Sequence, residues 1–393
     1  MPPSPKRLPL KVGTWEGVTI AFAGALFFSA ICSSILPNAR THDFLGFYTG
    51  GLLVRTDSAH LYDPELQSKI QYGLAPEIPV FTPIPRPAFS LPAYIPLTWM
   101  PLKTAFAVWL AAGILTAFGI WYWAFKRFGA EALIYCSLFV PLGFGIAHGQ
   151  DIAFVTGLLL LASVALERGR QELGGFLLSL LLCKFHLFLL LPVVLVFRRE
   201  WRVLYGYIPG ALAAVLISCW IASPTSYMAF LQNSKLEALN PSPEIMVNVY
   251  SIAMNFGLDF PIIRAVLVLL VIACTVMIPA PAPLERWFWA TIAGGLLISP
   301  HTFGYDMALL LAPILKMICD HNASLRLRAI AALAVIPFPY FMTLLPMPFS
   351  AGPAILLSLI FTALAWPEWF DRRGLTTSGS ETAPVIRPAA SLS

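Results

Sequence analysis

Charge is scarce in this chain: 11% of its 393 residues are Asp, Glu, Lys or Arg, where a soluble domain carries about 25%. That scarcity excludes a soluble globular protein. A soluble nucleotide-sugar domain is likewise missing. The short signatures of familiar chemistry are absent too: no P-loop, no GxGxxG after a strand, no HExxH and no Ser-His-Asp spacing. Cys32, Cys136, Cys183, Cys219, Cys274 and Cys319 lie in or beside apolar segments, and no two form a CxxC pair. Neither a disulfide framework nor a zinc site is supported. The net charge of +5 is modest, and no basic stripe interleaved with aromatics points to nucleic acid. No internal repeat is visible, so the inverted-repeat signature of many transporters is not there. The sequence demands no metal and no cofactor.

Hydrocarbon dominates what is present. Hydrophobic residues make up 58% of the chain, and mean hydropathy is +0.76. Apolar runs near the roughly 20 residues that span a bilayer recur from end to end. They fall at 17–36, 105–125, 152–166, 204–221, 262–278, 330–345 and 355–366, with shorter or interrupted runs at 133–147 and 307–318. The first run is too long for a removed signal peptide and lacks the small-residue cleavage site; it reads as a retained span.

Lys and Arg in short loops mark the cytoplasmic side. They cluster at Lys6/Arg7/Lys11, Lys126/Arg127, Arg168/Arg170, Arg198/Arg199/Arg202, Arg286, Arg326/Arg328 and Arg372/Arg373. The stretches 148–151, 223–259, 300–305 and 346–352 are nearly free of such clusters and fall outside. One segment breaks the alternation. Arg168/Arg170 and Arg198/Arg199/Arg202 both require the inside, with only residues 172–197 between them. Each half of that segment is about 18 Å long as helix, too short for a hydrocarbon core of roughly 30 Å. A re-entrant pair of half-helices with Lys184 near the tip satisfies the charges; a single long span would violate them. Residues 81–102, "FTPIPRPAFSLPAYIPLTWMPL", carry six prolines, which makes a plain helix improbable and a broken, dipping segment the expectation.

The expected fold is therefore an all-α polytopic membrane protein, a helical bundle of about ten spans plus re-entrant or broken segments, with an outer loop after the first span. Residues 1–15 form a cytoplasmic segment and 16–370 the transmembrane domain, in which 37–86 and 223–259 are the outer loops. The polar tail 371–393 is expected to be disordered and cytoplasmic.

Ionisable groups at membrane depth are costly and mark function. Here they fall towards one face: His42 and Asp43 after the first span, His148, Gln150 and Asp151 in "AHGQD", Lys184 and His186 in "CKFH", and His301, Tyr305 and Asp306 in "SPHTFGYD". A single polar residue at a turn is ordinary; a one-sided set of acids, histidines and a lysine is less so. A carboxylate serves as general base towards a hydroxyl, and lysine, arginine and histidine hold phosphate. That pairing suits transfer from a phosphorylated donor to an alcohol.

The chain resembles glycosyltransferase family 87, the polyprenyl-phosphate-mannose-dependent membrane mannosyltransferases of the C-type (GT-C) fold, over roughly residues 15–370. The resemblance is carried in order by "DFLGFYTGG" with "LYD" at 61–63, "PRPAFSLPAYIPL", "GQDIAFVTGLLLLA", "GGFLLSLLLCKFHLFLLLPVVLVFRREWR" and "SPHTFGYDMALLLAP". It implies a hexosyltransferase of the bacterial cytoplasmic membrane that transfers mannose, with inversion, at the periplasmic or outer face. The partners are a polyprenyl-phosphate sugar, a glycolipid or glycan acceptor, and membrane lipid. Asp43 maps onto the family's catalytic base and Lys184 onto a donor-phosphate contact, with Arg86 and His301 as further phosphate candidates. His42, Tyr48, Gln150, Asp151, His186, Tyr305 and Asp306 fill the polar lining. Where the family has Lys-Pro this chain has Lys184-Phe185, and the family's Tyr-Pro-Pro reads "RPAFSLP". Two other readings remain open: a lipid or glycolipid transporter (flippase) using the same charges for binding and gating, and a non-catalytic assembly partner.

Overall fold

The structure, a computed structural model, describes residues 42–78, 81–233, 242–279 and 282–370. The expected N-terminal segment 1–15, the run 17–36 and the tail 371–393 lie outside the described residues. Among the described residues every regular element is a helix. In chain order they are α1 His42–Thr56, α2 Pro64–Leu74, a 3-10 stretch Ala88–Trp99, α3 Leu102–Phe128, α4 Glu131–Leu138, α5 Val140–Ala147, α6 Ile152–Glu167 and α7 Gln171–Leu180. A 3-10 turn Leu181–Phe188 leads to α8 Leu190–Phe197, α9 Trp201–Ile221, α10 Pro224–Asn233, α11 Val249–Asn255, α12 Pro261–Val276 and α13 Leu284–Ile298. The 3-10 turn Gly304–Leu310 precedes α14 Leu311–Cys319, α15 Leu325–Val335, α16 Phe338–Phe341 and α17 Gly352–Ala365.

By length and composition three of the described helices are able to cross a membrane, Leu102–Phe128, Gln171–Phe188 and Trp201–Ile221. A fourth is the pair Leu325–Val335 and Phe338–Leu344, bent by 53°. The outer surfaces fit that role. On α3, Val108, Leu115, Phe118 and Tyr122 are exposed, and on α9 so are Ile208, Leu212, Val215 and Leu216. Exposed aliphatic rows of this kind are stable in lipid and costly in water. α3 ends with Lys126 and Arg127 in its last turn and Gly129 at φ 93° beyond it, a basic, glycine-stopped C-terminus.

Three expectations are refined. The run 133–147 is split at Phe139, because Pro141 at the start of α5 has no N–H to continue α4. The proline stretch is a 3-10 helix containing Pro92 and Pro96. The described part of the segment 37–86, expected as a loop, is largely helical: α1 buries Phe44, Leu45, Phe47, Tyr48 and Leu53 and lays Gly51 against the backbone of Tyr94. α13 is not among the apolar runs named above, although the alternation of basic loops requires a crossing there. From Trp287 to Ile298 it is buried throughout. It forms the axis of the main core, touching the Leu181–Phe188 turn through Gly295 and α12 and α17 through Gly294.

The segment 172–197 is broken at its centre. Lys184 has φ −116°, ψ 48°, outside the helical region. α7 and α9 run parallel, since Glu172 lies against Gly206, Gly175 against Val203 and Tyr207, and Ser179 against Gly210. Arg202 Nε reaches Glu172 Oε1 at 3.0 Å. Residues 172 and 202 are thus neighbours, so the chain leaves one face of the bundle at α7 and returns to that same face after α8. A single long span is excluded, because its ends would lie on opposite faces. Small residues let the two backbones meet: a Cβ at Gly206 would collide with the Glu172 carbonyl oxygen. Gly206→Ala is expected to cost about 1–3 kcal/mol, read as a lower unfolding temperature in detergent. An exposed-face control, Gly73→Ala, whose Cβ meets nothing, leaves that temperature unchanged.

Candidate active site

Five segments far apart in sequence bring ionisable groups to one place. Arg86, held between Pro85 and Pro87 ahead of the 3-10 stretch, gives a two-pronged contact to Asp151: Nε to Oδ2 at 3.1 Å and Nη2 to Oδ1 at 2.8 Å. Its carbonyl accepts from the Tyr62 hydroxyl at 2.8 Å, and its guanidinium lies over the Phe47 ring at 5.1 Å. Lys184, at the break between half-helices, donates to Asp306 Oδ1 at 2.8 Å and has Asp151 Oδ1 at 3.6 Å. Asp306 is oriented by its other oxygen, which accepts from the Phe303 N–H at 3.0 Å. Arg86, Asp151, Lys184 and Asp306 are all buried. Their charges balance, as buried ions require.

Asp43 is the additional carboxylate. It stands in the first turn of α1, where the helix dipole favours an anion, and is only partly buried. Gln150, His148, Lys184 and Arg86 lie close enough to act on it electrostatically. Burial nevertheless holds its carboxyl above the usual carboxylate range, against the pull of Gln150 and those cations. Such a group is a better proton acceptor than a solvated aspartate, because Brønsted behaviour rewards a pKa nearer the working pH. Gln150 also donates from Nε2 to the Tyr305 hydroxyl at 3.3 Å and accepts on Oε1 from Arg86 Nη2 at 3.4 Å.

A row of rings borders this cluster. His186 meets His301 at 5.6 Å between centroids, His301 meets Phe303 at 5.0 Å, and Phe303 meets Tyr305 at 5.8 Å. Lys184 Nζ lies over the Tyr305 ring at 5.2 Å. Burial pushes the His301 imidazole down to about 4, so at neutral pH it meets an anion as a neutral hydrogen-bonding group. The turn 299–306 is clamped by residues 247 and 248. Asn248 Nδ2 donates to the Ser299 carbonyl at 2.9 Å, and the Val247 N–H donates to Thr302 at 2.8 Å.

Of the residues singled out by sequence, Arg86, Gln150, Asp151, Lys184, Tyr305 and Asp306 form one connected network, with Asp43, His186 and His301 beside it. Tyr48 stands apart: its hydroxyl donates to the Met100 carbonyl at 2.9 Å. His42 is the first residue of α1, and its side chain lies outside the described residues. Two contributors carried no sequence signal. Tyr94 stacks on Phe47 at 5.2 Å and lies within electrostatic reach of Arg86. Trp109 Nε1 donates to the Gly149 carbonyl at 2.9 Å, pinning the Gln150 turn. Both are aromatic residues in apolar surroundings, where core packing is the ordinary expectation.

Apolar helices long enough to cross a membrane, with balanced charges buried beside a partly exposed carboxylate, define a membrane protein with a built polar site. The sequence profile of glycosyltransferase family 87 matches residues 86–300, more than half of the chain, and the chain belongs to that family. Its class of chemistry is therefore glycosyl transfer, which needs a sugar donor and an acceptor. No curated protein and no solved structure matches it.

Proposed function

We propose that this glycosyltransferase moves a sugar, mannose in the first instance, from a polyprenyl-phosphate donor to a hydroxyl of a glycolipid or glycan at the outer face of the cytoplasmic membrane. The observation that carries this reading is Asp43: a partly accessible carboxylate with a raised proton affinity, set beside two buried cations. In the proposed step Asp43 takes the acceptor hydroxyl proton as that oxygen attacks the anomeric carbon. The bond from that carbon to the phosphate oxygen breaks from the opposite side, giving inversion. The electron pair leaves with the lipid phosphate. Lys184 has three N–H donors, one of them used on Asp306, and it offsets the growing phosphate charge with Arg86 behind it and His301 as a neutral donor. A low-dielectric surrounding strengthens these contacts. The proposed scaffold is a GT-C-type bundle of about ten spans, counting the run 17–36. A transporter reading is not favoured, because the family match is to glycosyltransferases.

The test supplies purified protein with radiolabelled polyprenyl-phosphate mannose and a lipid extract of the host. Label appearing in a new lipid or glycan, with the anomeric configuration inverted, is the expected result. Transfer only from a nucleotide sugar would overturn the donor assignment.

A further inference from the structure

Residues 83–87 alternate proline with Ile84 and Arg86, so the run has few N–H groups with which to join a helix or a sheet. Such a chain favours an extended form rising about 3.1 Å per residue, and side chains have to hold it. α2 supplies them. Gln71 Oε1 accepts from the Thr82 N–H at 2.9 Å, and its Nε2 donates to the Thr82 carbonyl at 2.7 Å. Gln67 Oε1 accepts from the Ile84 N–H at 3.1 Å, and its Nε2 donates to the Leu61 carbonyl at 2.9 Å. Both glutamines are buried, an unusual setting for that side chain.

The spacing fits on both sides. Gln67 and Gln71 stand four apart on a helix, about 6 Å along its axis, and two residues of extended chain cover the same length. The opposite side of the run rests on α1, the helix of Asp43. A Cβ at Gly46 would lie 3.3 Å from Thr82 Cγ2, and one at Gly50 would lie 3.5 Å from Ile84 Cγ2. Again four helical residues match two extended ones. Tyr62, ahead of α2, secures the far end by donating to the Arg86 carbonyl at 2.8 Å. From there the Arg86 side chain reaches Asp151.

We propose that Gln67 and Gln71 are positioning residues: they fix the register of residues 82–86 between α1 and α2, and so fix where the Arg86 guanidinium stands relative to Asp151 and to the helix carrying Asp43. Both spend their amide bonds on backbone, so their effect on the site passes through Arg86. That Arg86 then serves the donor phosphate rests on the function proposed above; its placement does not.

The test reads Arg86 without substrate. Purified protein in detergent is treated with phenylglyoxal, which modifies arginine, and the peptides carrying Arg86 and the exposed Arg55 are quantified by mass spectrometry. In the wild type Arg55 reacts and Arg86 is protected. Gln67→Met keeps the length of the side chain and removes its bonds to Ile84 and Leu61. Buried groups react through local opening, so this variant is expected to label Arg86 about tenfold faster relative to Arg55. Gln71→Met serves as the second variant and moves the rate the same way. Unchanged protection of Arg86 in a folded variant, whatever its melting temperature, overturns the proposal. If neither variant folds, the wild type suffices: exchange of the Ile84 amide and labelling of Arg86 are expected to share one denaturant dependence. Labelling that proceeds while that amide stays protected overturns the proposal as well. Where transfer is assayed, donor KM rises about tenfold and kcat is affected less. An unchanged KM in a variant whose Arg86 has become reactive would remove Arg86 from the donor site and leave its positioning standing.

Discussion

Asp43→Asn lowers kcat for sugar transfer by about 10²–10⁴-fold and leaves the bundle folded. Asparagine has nearly the same shape and has no basicity to accept the acceptor's proton. The folded state tolerates the change because Asp43 is not the counter-ion that either buried cation depends on. Arg86 keeps Asp151 at 2.8 Å and Lys184 keeps Asp306 at 2.8 Å. Donor KM is expected to change little, since no phosphate contact is lost. Steady-state transfer with saturating donor, alongside a melting curve, checks both halves. Unchanged kcat would remove Asp43 as the base. In the wild type the rate should fall on acidification through a midpoint above the usual carboxylate range, because protonated Asp43 cannot act. That acid limb should vanish in the residual rate of Asp43→Asn.

Lys184→Met has the largest expected effect on stability, a loss of about 3–5 kcal/mol. Removing the ammonium leaves Asp306 and the second contact of Asp151 as buried carboxylates short of positive charge. The companion Lys184→Met/Asp306→Leu recovers part of that loss, because an apolar pair replaces a broken ion pair and no uncompensated charge remains. Recovery is incomplete, since the Phe303 N–H loses its acceptor. Unfolding in detergent, compared as a double-mutant cycle, gives the coupling. Purely additive losses would show that the two side chains do not act as a pair. Transfer activity is expected to be absent from both variants, which separates the stabilising role of Lys184 from its role towards the donor.

Much of this arrangement was legible in the order of residues. The half-helices around Lys184 follow from two arginine clusters that demand the same side with too few residues between them. The 3-10 stretch follows from six prolines. The membership of the polar site followed from asking which ionisable groups sit at membrane depth. The pairings were not legible, because they are purely tertiary: Arg86 finds Asp151 at 65 positions' distance and Lys184 finds Asp306 at 122. No local period encodes such partners. The helical character of α1 was hidden for another reason. It is mixed in polarity and buried by contact with the proline stretch, so it lacks a clean apolar stripe against which a helix is recognised. Tyr48 looked like site chemistry because it adjoins Asp43 in sequence. In a helix, residues five apart lie about 140° around the axis, and its hydroxyl turns to Met100 instead.

The neighbouring feet of the Lys184 hairpin have a consequence for how the rest of the chain is threaded. A segment that enters and leaves by one face adds nothing to the parity of crossings. α6 descends to the face of Arg168 and Arg170, and α9 rises from that face beside α7. Their opposite directions hold whether the hairpin is inserted between them or not. A lysine can therefore be carried into the interior of the bundle, gained or lost as a unit, without inverting a single helix downstream.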